Sequence, residues 1–530
     1  MKTIAKRFCK TLLPLFLAVT MVAGLLVGCA GKKDYTKGGG VNGDYFAPAE
    51  EAGAELYSKA DPDKDNAEEP SDAFVENPFI DTARQNVSTF SADVDTASYA
   101  LFRKTVTGWV RQKANKQTIL SALEKNASSF RTEEFLNYFR YEANAPKDGE
   151  LFGTTVGILP CPWNPKNQLL RLTLQAPATT PTGGNNLVFL IDVSGSMSTE
   201  DKLPLLKTAF TYLVNQLTER DVVSIVTYSG KEEVVLQGCA GNERQKILEA
   251  VNGLTAHGAT NGEAGMKKAY ELAADYRIEG GNNRIIMASD GDLNVGIRSG
   301  DELKAFIEGK RDEGTFLSIL GFGSGNYRDS TMETLAHNGN GVYYYIDGES
   351  EAQKVFGTDL ISTLYTVAKD VKMQLTFDPA YVASYRQIGY ENRQLNREDF
   401  TDDTKDAGEV GAGHQVTVFY ELVMTENGQK TDLAADTAFM TLAVRYKAPD
   451  GDVSKEDTYS IGVSDRTVPD SDTKFMFCVL ELTMLLHNSK YLPADKSVTY
   501  ATVLAKLRGL DLDRHSDRAE FRSLVEAFAA

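Results

Sequence analysis

Cysteine is scarce in this chain, with five in 530 residues, and two of those, Cys9 and Cys29, fall in the leading stretch. The remaining Cys161, Cys239 and Cys478 are odd in number and widely, irregularly spaced, which offers neither a disulfide framework nor a zinc pattern. They are expected to be buried small hydrophobes. Stability must therefore come from apolar cores, and the length allows two or three domains. Positive charge is also in deficit: 56 Lys and Arg stand against 74 Asp and Glu, a net −18. So acidic a surface argues against nucleic acid and against direct adsorption to anionic lipid. Long apolar runs are lacking too, apart from Leu12 to Val27, so no other stretch could cross a membrane.

That single run is preceded by Lys2, Lys6, Arg7 and Lys10, the layout of a secretory signal. It ends Leu26-Val27-Gly28-Cys29, which resembles the bacterial lipobox cleaved before its cysteine. The resemblance implies a signal peptide over 1–28 and a diacylglyceryl group on Cys29, and two acyl chains make a lasting anchor. The expected location is the bacterial cell envelope, lipid-anchored to a membrane and exposed on the extracytoplasmic side. Loss of the four basic residues takes the mature chain from −18 to −22. Residues 29–73 read as a disordered tether, with Gly38-Gly39-Gly40 and few large apolar residues. About 44 flexible residues span roughly 35–40 Å. Its acidic run Asp61 to Asn66 imitates a calcium loop, but Asn66 replaces the required glycine and Asp72 the closing Glu.

The chain is organised around Leu187-Val188-Phe189-Leu190-Ile191-Asp192-Val193-Ser194-Gly195-Ser196-Met197. Five apolar residues in a row indicate a strand buried on both faces of a parallel sheet. The loop that follows lies where open α/β sheets place ligands. Asp192, Ser194 and Ser196 at i, i+2 and i+4 can converge, and three hard oxygens suit Mg²⁺ first, with Mn²⁺ and Ca²⁺ as the other candidates. Further ligands are needed downstream, and two stand out. Thr260 precedes a helical pattern, and Asp290 ends a second buried strand, Arg284 to Ser289. With these five positions the stretch 184–348 resembles the von Willebrand factor type A domain with its metal-ion-dependent adhesion site (MIDAS). The resemblance implies that Asp192, Ser194, Ser196, Thr260 and Asp290 are the ligand set, with the aspartates partly acting through water. A helix N-cap alone would also use Asp and Ser, but it does not explain the buried strand or the two later ligands. A serine hydrolase is excluded, because neither Ser194 nor Ser196 has the Gly-x-Ser-x-Gly frame of a nucleophile elbow.

The flanks divide by texture. Residues 74–145 form an N-terminal helical region and 146–183 carry strands of a β-domain. Residues 349–530 form a C-terminal β-domain with a helical tail. The stripes Leu101, Phe102, Val106 and Trp109, then Phe135, Leu136, Tyr138 and Phe139, are helical. Asp93 and Asp95 could be metal ligands, but capping the first helix is the expected role. From 365 the pattern becomes alternating, as in Val416, Val418, Tyr420 and Leu422, which predicts antiparallel sheet with one wetter face. These flanks resemble those of a family of bacterial lipoproteins with a type A domain in mid-chain. Strands at 151–176 and at 370–445 lack partners on their own sides, so they are expected to pair with each other around an inserted type A domain. Gly321-Phe322-Gly323-Ser324-Gly325-Asn326 imitates a dinucleotide loop, but its sixth position is Asn and no ribose-binding acid follows.

The predicted fold class is α/β: a doubly wound, mostly parallel sheet (von Willebrand factor A, Rossmann-like) with a flanking antiparallel β-domain and small helical regions. The expected function is non-enzymatic: a membrane-anchored, metal-dependent protein-binding module for adhesion or scaffolding. Two carboxylates and three hydroxyls leave a coordination position for a partner's Asp or Glu carboxylate. His257 is the only histidine near the site in sequence, and no general base of tuned pKa accompanies it. Two alternatives stay open. A carboxylate of the chain itself could occupy the site and lock its domains, or the ion could act as the Lewis acid of a metal hydrolase.

Overall fold

The computed structural model describes residues 74–529 except 179–182, 259–261, 292–299, 324–328, 360–361, 363, 450 and 452. The leader, Cys29, the tether and Thr260 therefore lie outside the described residues.

The first part of the chain forms β1 (Ile80–Asp81), β2 (Val87–Ser91), α1 (Ala97–Arg111), α2 (Lys116–Lys125), α3 (Thr132–Tyr138), β3 (Gly153–Pro160) and β4 (Gln168–Gln175). Next come β5 (Asn185–Asp192), α4 (Leu203–Gln216), β6 (Val222–Tyr228), β7 (Glu232–Ala240), α5 (Arg244–Asn252) and α6 (Gly262–Asp275). This middle part continues with β8 (Asn282–Ser289), α7 (Gly300–Asp312), β9 (Phe316–Phe322), α8 (Asp329–Asn338), β10 (Tyr343–Ile346) and α9 (Glu349–Gln353). The last strands are β11 (Thr366–Phe377), β12 (Val382–Ile388), β13 (Gln394–Leu395), β14 (Gly408–Gly411), β15 (Gln415–Met424), β16 (Ala438–Lys447) and β17 (Ser454–Gly462). The chain closes with α10 (Ser471–Leu486), α11 (Tyr500–Arg508) and α12 (Ser516–Ala529).

The middle part builds a six-stranded sheet in the order β10-β9-β8-β5-β6-β7. Its first five strands are parallel, and β7 closes the far edge antiparallel to β6. Strand β5 is central and buried along its whole length, because helices cover both faces. Phe189 packs on Phe210 of α4 at 4.3 Å between ring centroids. Val188 and Leu190 share the opposite core with Met266 and Ala269 of α6. Helix α6 comes so close that a Cβ on Gly265 would lie 2.9 Å from Tyr228 Cβ, which explains a glycine in its first turn.

The flanking strands form two antiparallel sheets, β1-β12-β15-β4-β3 and β13-β2-β11-β16-β17, with β14 also on β11. They pack face to face: Phe377 of β11 stacks on Tyr385 of β12 at 4.1 Å, and Tyr385 donates its hydroxyl to the Val87 carbonyl of β2. Strand β4 pairs with β15 over eight residues, from Gln168↔Leu422 to Gln175↔Gln415. The strands before and after the middle part thus belong to one sheet, as their unpaired edges required. The chain leaves and re-enters this body at one turn, where Gly413 N–H donates to Pro177 O and Ala412 N–H to Tyr365 O.

Two expectations are corrected. Residues 74–145 are not only helical, since they contribute β1 and β2 to the two antiparallel sheets. Strand β15 has no wet face, although its apolar residues do alternate. Val416, Val418, Tyr420 and Leu422 face the other sheet, while Phe419 packs among helices α1–α3 and α10–α12. Polar residues on that second face are buried and satisfied: Glu421 accepts from Arg386 at 2.9 Å, Trp163 at 3.2 Å and Asn167 at 2.6 Å. The helices at the two ends of the chain share one aromatic core, with Tyr99, Phe102, Phe139, Phe475 and Phe521 in contact. Cys161, Cys239 and Cys478 are buried free thiols.

Candidate metal centre

Strands β5 and β8 are adjacent and parallel, in register Ile191↔Ala288, so Asp192 and Asp290 emerge at neighbouring strand ends. Asp192 is fully buried, and its Oδ1 accepts the Ser194 N–H at 2.8 Å, which turns the chain sharply at the end of the strand. A 3₁₀ turn over Gly195–Ser198 then buries Met197 beneath the loop and leaves Ser196 exposed. The Ser194 and Ser196 hydroxyls lie 3.0 Å apart. Tyr228, across the sheet from Asp192, is held well above its ordinary phenol range by burial and then by the Asp192 carboxylate.

The loop is held from a second side. His257 N–H donates to Val193 O at 2.7 Å, and Gly195 N–H donates to Gly258 O at 3.1 Å. The segment just before Thr260 is thereby fastened to the Asp192 loop, while Thr260 itself is outside the described residues. The His257 ring is exposed and bonded to the Thr255 carbonyl.

Sequence reasoning missed a lysine. Lys202 Nζ lies 2.8 Å from Asp290 Oδ2 and 3.0 Å from the Ser196 carbonyl oxygen. Asp290 is 4% exposed in its side chain and Lys202 13%, so the pair is largely shielded from water. Room for the lysine stem comes from Gly323, where a Cβ would stand 2.2 Å from Lys202 Cε. Beside it, Lys104 of α1 donates to Asp201 Oδ2 at 3.0 Å and to Gly323 O at 2.7 Å. Asp201 sits below its ordinary range: partial burial pushes it up, but bonds from Thr199 and Lys104 outweigh that. The one legible signal for Lys202 was that it is the only cation between Asp192 and Leu206.

An ammonium wedged between a buried carboxylate and a loop carbonyl is a stand-in cation. The Ser194 and Ser196 hydroxyls and the Asp192 and Asp290 carboxylates at the ends of β5 and β8 are hard oxygens, a donor chemistry that fits a small divalent ion.

Asp93 and Asp95 do not cap α1. The N-cap is Thr96, without a side-chain cap bond. Instead both aspartates pair with Arg393 at 3.1 and 3.2 Å, and Glu333 of α8 joins at 2.9 Å. Asp95 also accepts the Tyr343 N–H at the start of β10. Burial first, then Asp93 beside it, raises Asp95 well above its usual range. Further along α1, Arg103 binds Asp347 at 2.5 Å, Glu351 at 2.6 Å and Glu520 of α12 at 3.2 Å. Helix α1 therefore lies along the β10 edge and ties both flanks to the middle domain, covering an edge that would otherwise be open.

A family model described as "von Willebrand factor type A domain" matches residues 186–358. One described as "Uncharacterized protein YfbK, C-terminal" matches 362–530, and a "von Willebrand factor" model matches 65–171. The protein YfbK of Escherichia coli (strain K12) is 36% identical over 476 residues, covering 86% of this chain and 80% of that protein. Inter-alpha-trypsin inhibitor heavy chain H3 of Mesocricetus auratus is 29% identical over 188 residues, 33% of this chain and 21% of its own length. Among solved structures, a von Willebrand factor type A protein from Catenulispora acidiphila is 16% identical with a TM-score of 0.39, covering 65% of this chain and 81% of that one. The chain carries a von Willebrand factor type A domain and belongs to the YfbK family.

Proposed function

We propose that this protein is a membrane-anchored, divalent-metal-dependent protein-binding module whose adhesion site recognises a partner's carboxylate. The observation that carries the reading is the oxygen-only cluster at the ends of β5 and β8, with an ammonium already seated on Asp290. Asp192, Ser194, Ser196 and Asp290 would hold Mg²⁺ together with Thr260. Bound there, the ion supplies a positive centre of hard-acid character for an incoming oxygen. The chain's own groups do the rest. Asp192 fixes the loop through the Ser194 N–H, Ser194 is buried beside the exposed Ser196, and Met197 anchors the turn from below. An acyl anchor at Cys29 and a tether over 29–73 would hold this surface clear of an extracytoplasmic membrane face.

Chelator-reversible capture of a partner from membranes, followed by amide substitution of that partner's acidic residues, tests the proposal. Binding should need Mg²⁺, fail with Asp192→Ala, and drop sharply for one acidic residue changed to its amide. Capture that survives EDTA and a full scan of interface carboxylates would refute a metal-mediated contact. Cys29→Ala should move the protein from the membrane to the soluble fraction, and an unchanged distribution would refute the anchor.

A further inference from the structure

A second cluster of acids lies away from the adhesion site, where the middle domain meets the sandwich. Strand β11 is irregular there: its register slips between Lys369 and Lys372 against β16, and between Ala368 and Val371 against β14. Asp370 sits in that bulge with φ +54°, a left-handed conformation that a non-glycine residue adopts only when its surroundings hold it there. Its carboxylate receives Lys447 Nζ at 2.7 Å and the Ala407 N–H at 3.2 Å. Asp406 receives Arg311 Nη1, from α7, at 2.8 Å. One carboxylate oxygen from each of Asp370, Asp406 and Glu409 lies within 4.8 Å of the other two.

Glu409 makes this more than a crowd of acids. Both of its carboxylate oxygens are sealed from solvent and, among the described residues, have no hydrogen-bond partner of normal geometry, the Asp370 backbone N–H being the donor that comes near. Arg311 pairs with Asp406 and Lys447 with Asp370, whereas among the described residues no cation pairs directly with Glu409, which Lys369 and Arg284 reach only at longer range. A buried carboxylate in that position is costly unless a cation or a proton joins it. Access exists, because Asp370 and Asp406 line a cavity of about 540 Å³ that also contains Asn340, Asp403 and Thr404. Calcium ligands stand 2.3–2.6 Å from their ion, so two of them lie at most about 4.6–5.2 Å apart. The observed spacing falls within that pairwise limit.

We infer that Asp370, Asp406 and Glu409 form a second divalent-cation site, of Ca²⁺ type, completed by water from the cavity. It stands apart from the adhesion site and does not depend on that reading. A cation there would pin the 402–411 segment to β11 and, through the Asp406–Arg311 pair, to α7 of the type A domain. The nearby bases predict weak binding, in the roughly 10⁻⁴–10⁻³ M range of extracellular calcium modules.

The test uses the full chain carrying Asp192→Ala, so that the adhesion site is disabled, stripped with chelator and titrated with Ca²⁺ alone by equilibrium dialysis. One Ca²⁺ per chain is expected. Adding Glu409→Gln should weaken it at least about tenfold, the neutral amide lacking the charge that a hard cation requires. Asp406→Asn is the second variant, in case Glu409→Gln fails to fold as judged by circular dichroism, and the same weakening is expected. No Ca²⁺ bound up to about 10 mM, beyond the weakest extracellular sites, would overturn the inference and leave Glu409 as a buried neutral acid. Binding unchanged in the folded variants would overturn it equally.

Discussion

Replacing Lys202 by Met is expected to tighten Mg²⁺ binding at the adhesion site. The ammonium now lies 2.8 Å from Asp290 Oδ2 and 3.0 Å from the Ser196 carbonyl, and neither the Lys202 nor the Asp290 side chain is more than 13% exposed. Divalent metal and ammonium compete for the same carboxylate, so every binding event must give up the lysine contact. A hydrogen bond to a charged group contributes about 1.5–3 kcal/mol net. Removing that competitor should improve the dissociation constant by roughly 10- to 150-fold. Methionine keeps most of the stem that packs against Gly323, so the loop loses charge more than volume. The same change takes the Lys202 ammonium away from Asp290, beside Asp192, so the metal-free variant should melt below wild type and recover in saturating Mg²⁺. Isothermal titration of Mg²⁺ into both full chains, with calorimetric melting in EDTA and in Mg²⁺, reads both effects. A dissociation constant unchanged within about twofold, well under the expected gain, or a weaker one, would refute the competition.

Three further outcomes follow from the same geometry. At a free concentration about 100 times the dissociation constant, Mg²⁺ should stabilise the wild-type chain by about 2.7 kcal/mol and Asp192→Ala hardly at all; equal stabilisation in denaturant titrations would remove Asp192 from the site. Arg393→Met should cost about 3–5 kcal/mol, because Asp93, Asp95 and Glu333 lose their shared cation inside the protein; a loss below about 1 kcal/mol in urea unfolding, as for a surface pair, would contradict the buried network. Burial first, then the Arg140 charge, lowers His414 to about 3, while the unfolded chain titrates near 6.5. Between those values the unfolded state binds a proton that the native state refuses, so stability falls as pH drops. His414→Asn retains an acceptor for the Gly411 N–H and should flatten that slope by up to about 1.4 kcal/mol per pH unit; identical slopes would show that His414 is not the titrating group.

Short-range pattern determined much of this protein. The apolar run before Asp192, the oxygen residues after it and the strand before Asp290 could all be read because each is a local periodicity with an abrupt change of chemistry. The unpaired strands at 151–176 and 370–445 implied their own pairing, since open edges must be covered. What the sequence could not show are the contacts made between distant stretches. Asp93 and Asp95 look like caps until Arg393, three hundred residues away from Asp93, is seen between them. Strand β15 alternates as if one face were wet, yet helices from both ends of the chain cover that face. Lys202 reads as an ordinary charge before a helix, and only the approach of β8 turns it toward Asp290. Asp370, Asp406 and Glu409 are drawn together by a bulge and an antiparallel return that leave no periodic trace. A residue's periodicity is set by its neighbours along the chain, but the charge that must answer a buried carboxylate is chosen only when the layers close and exclude water.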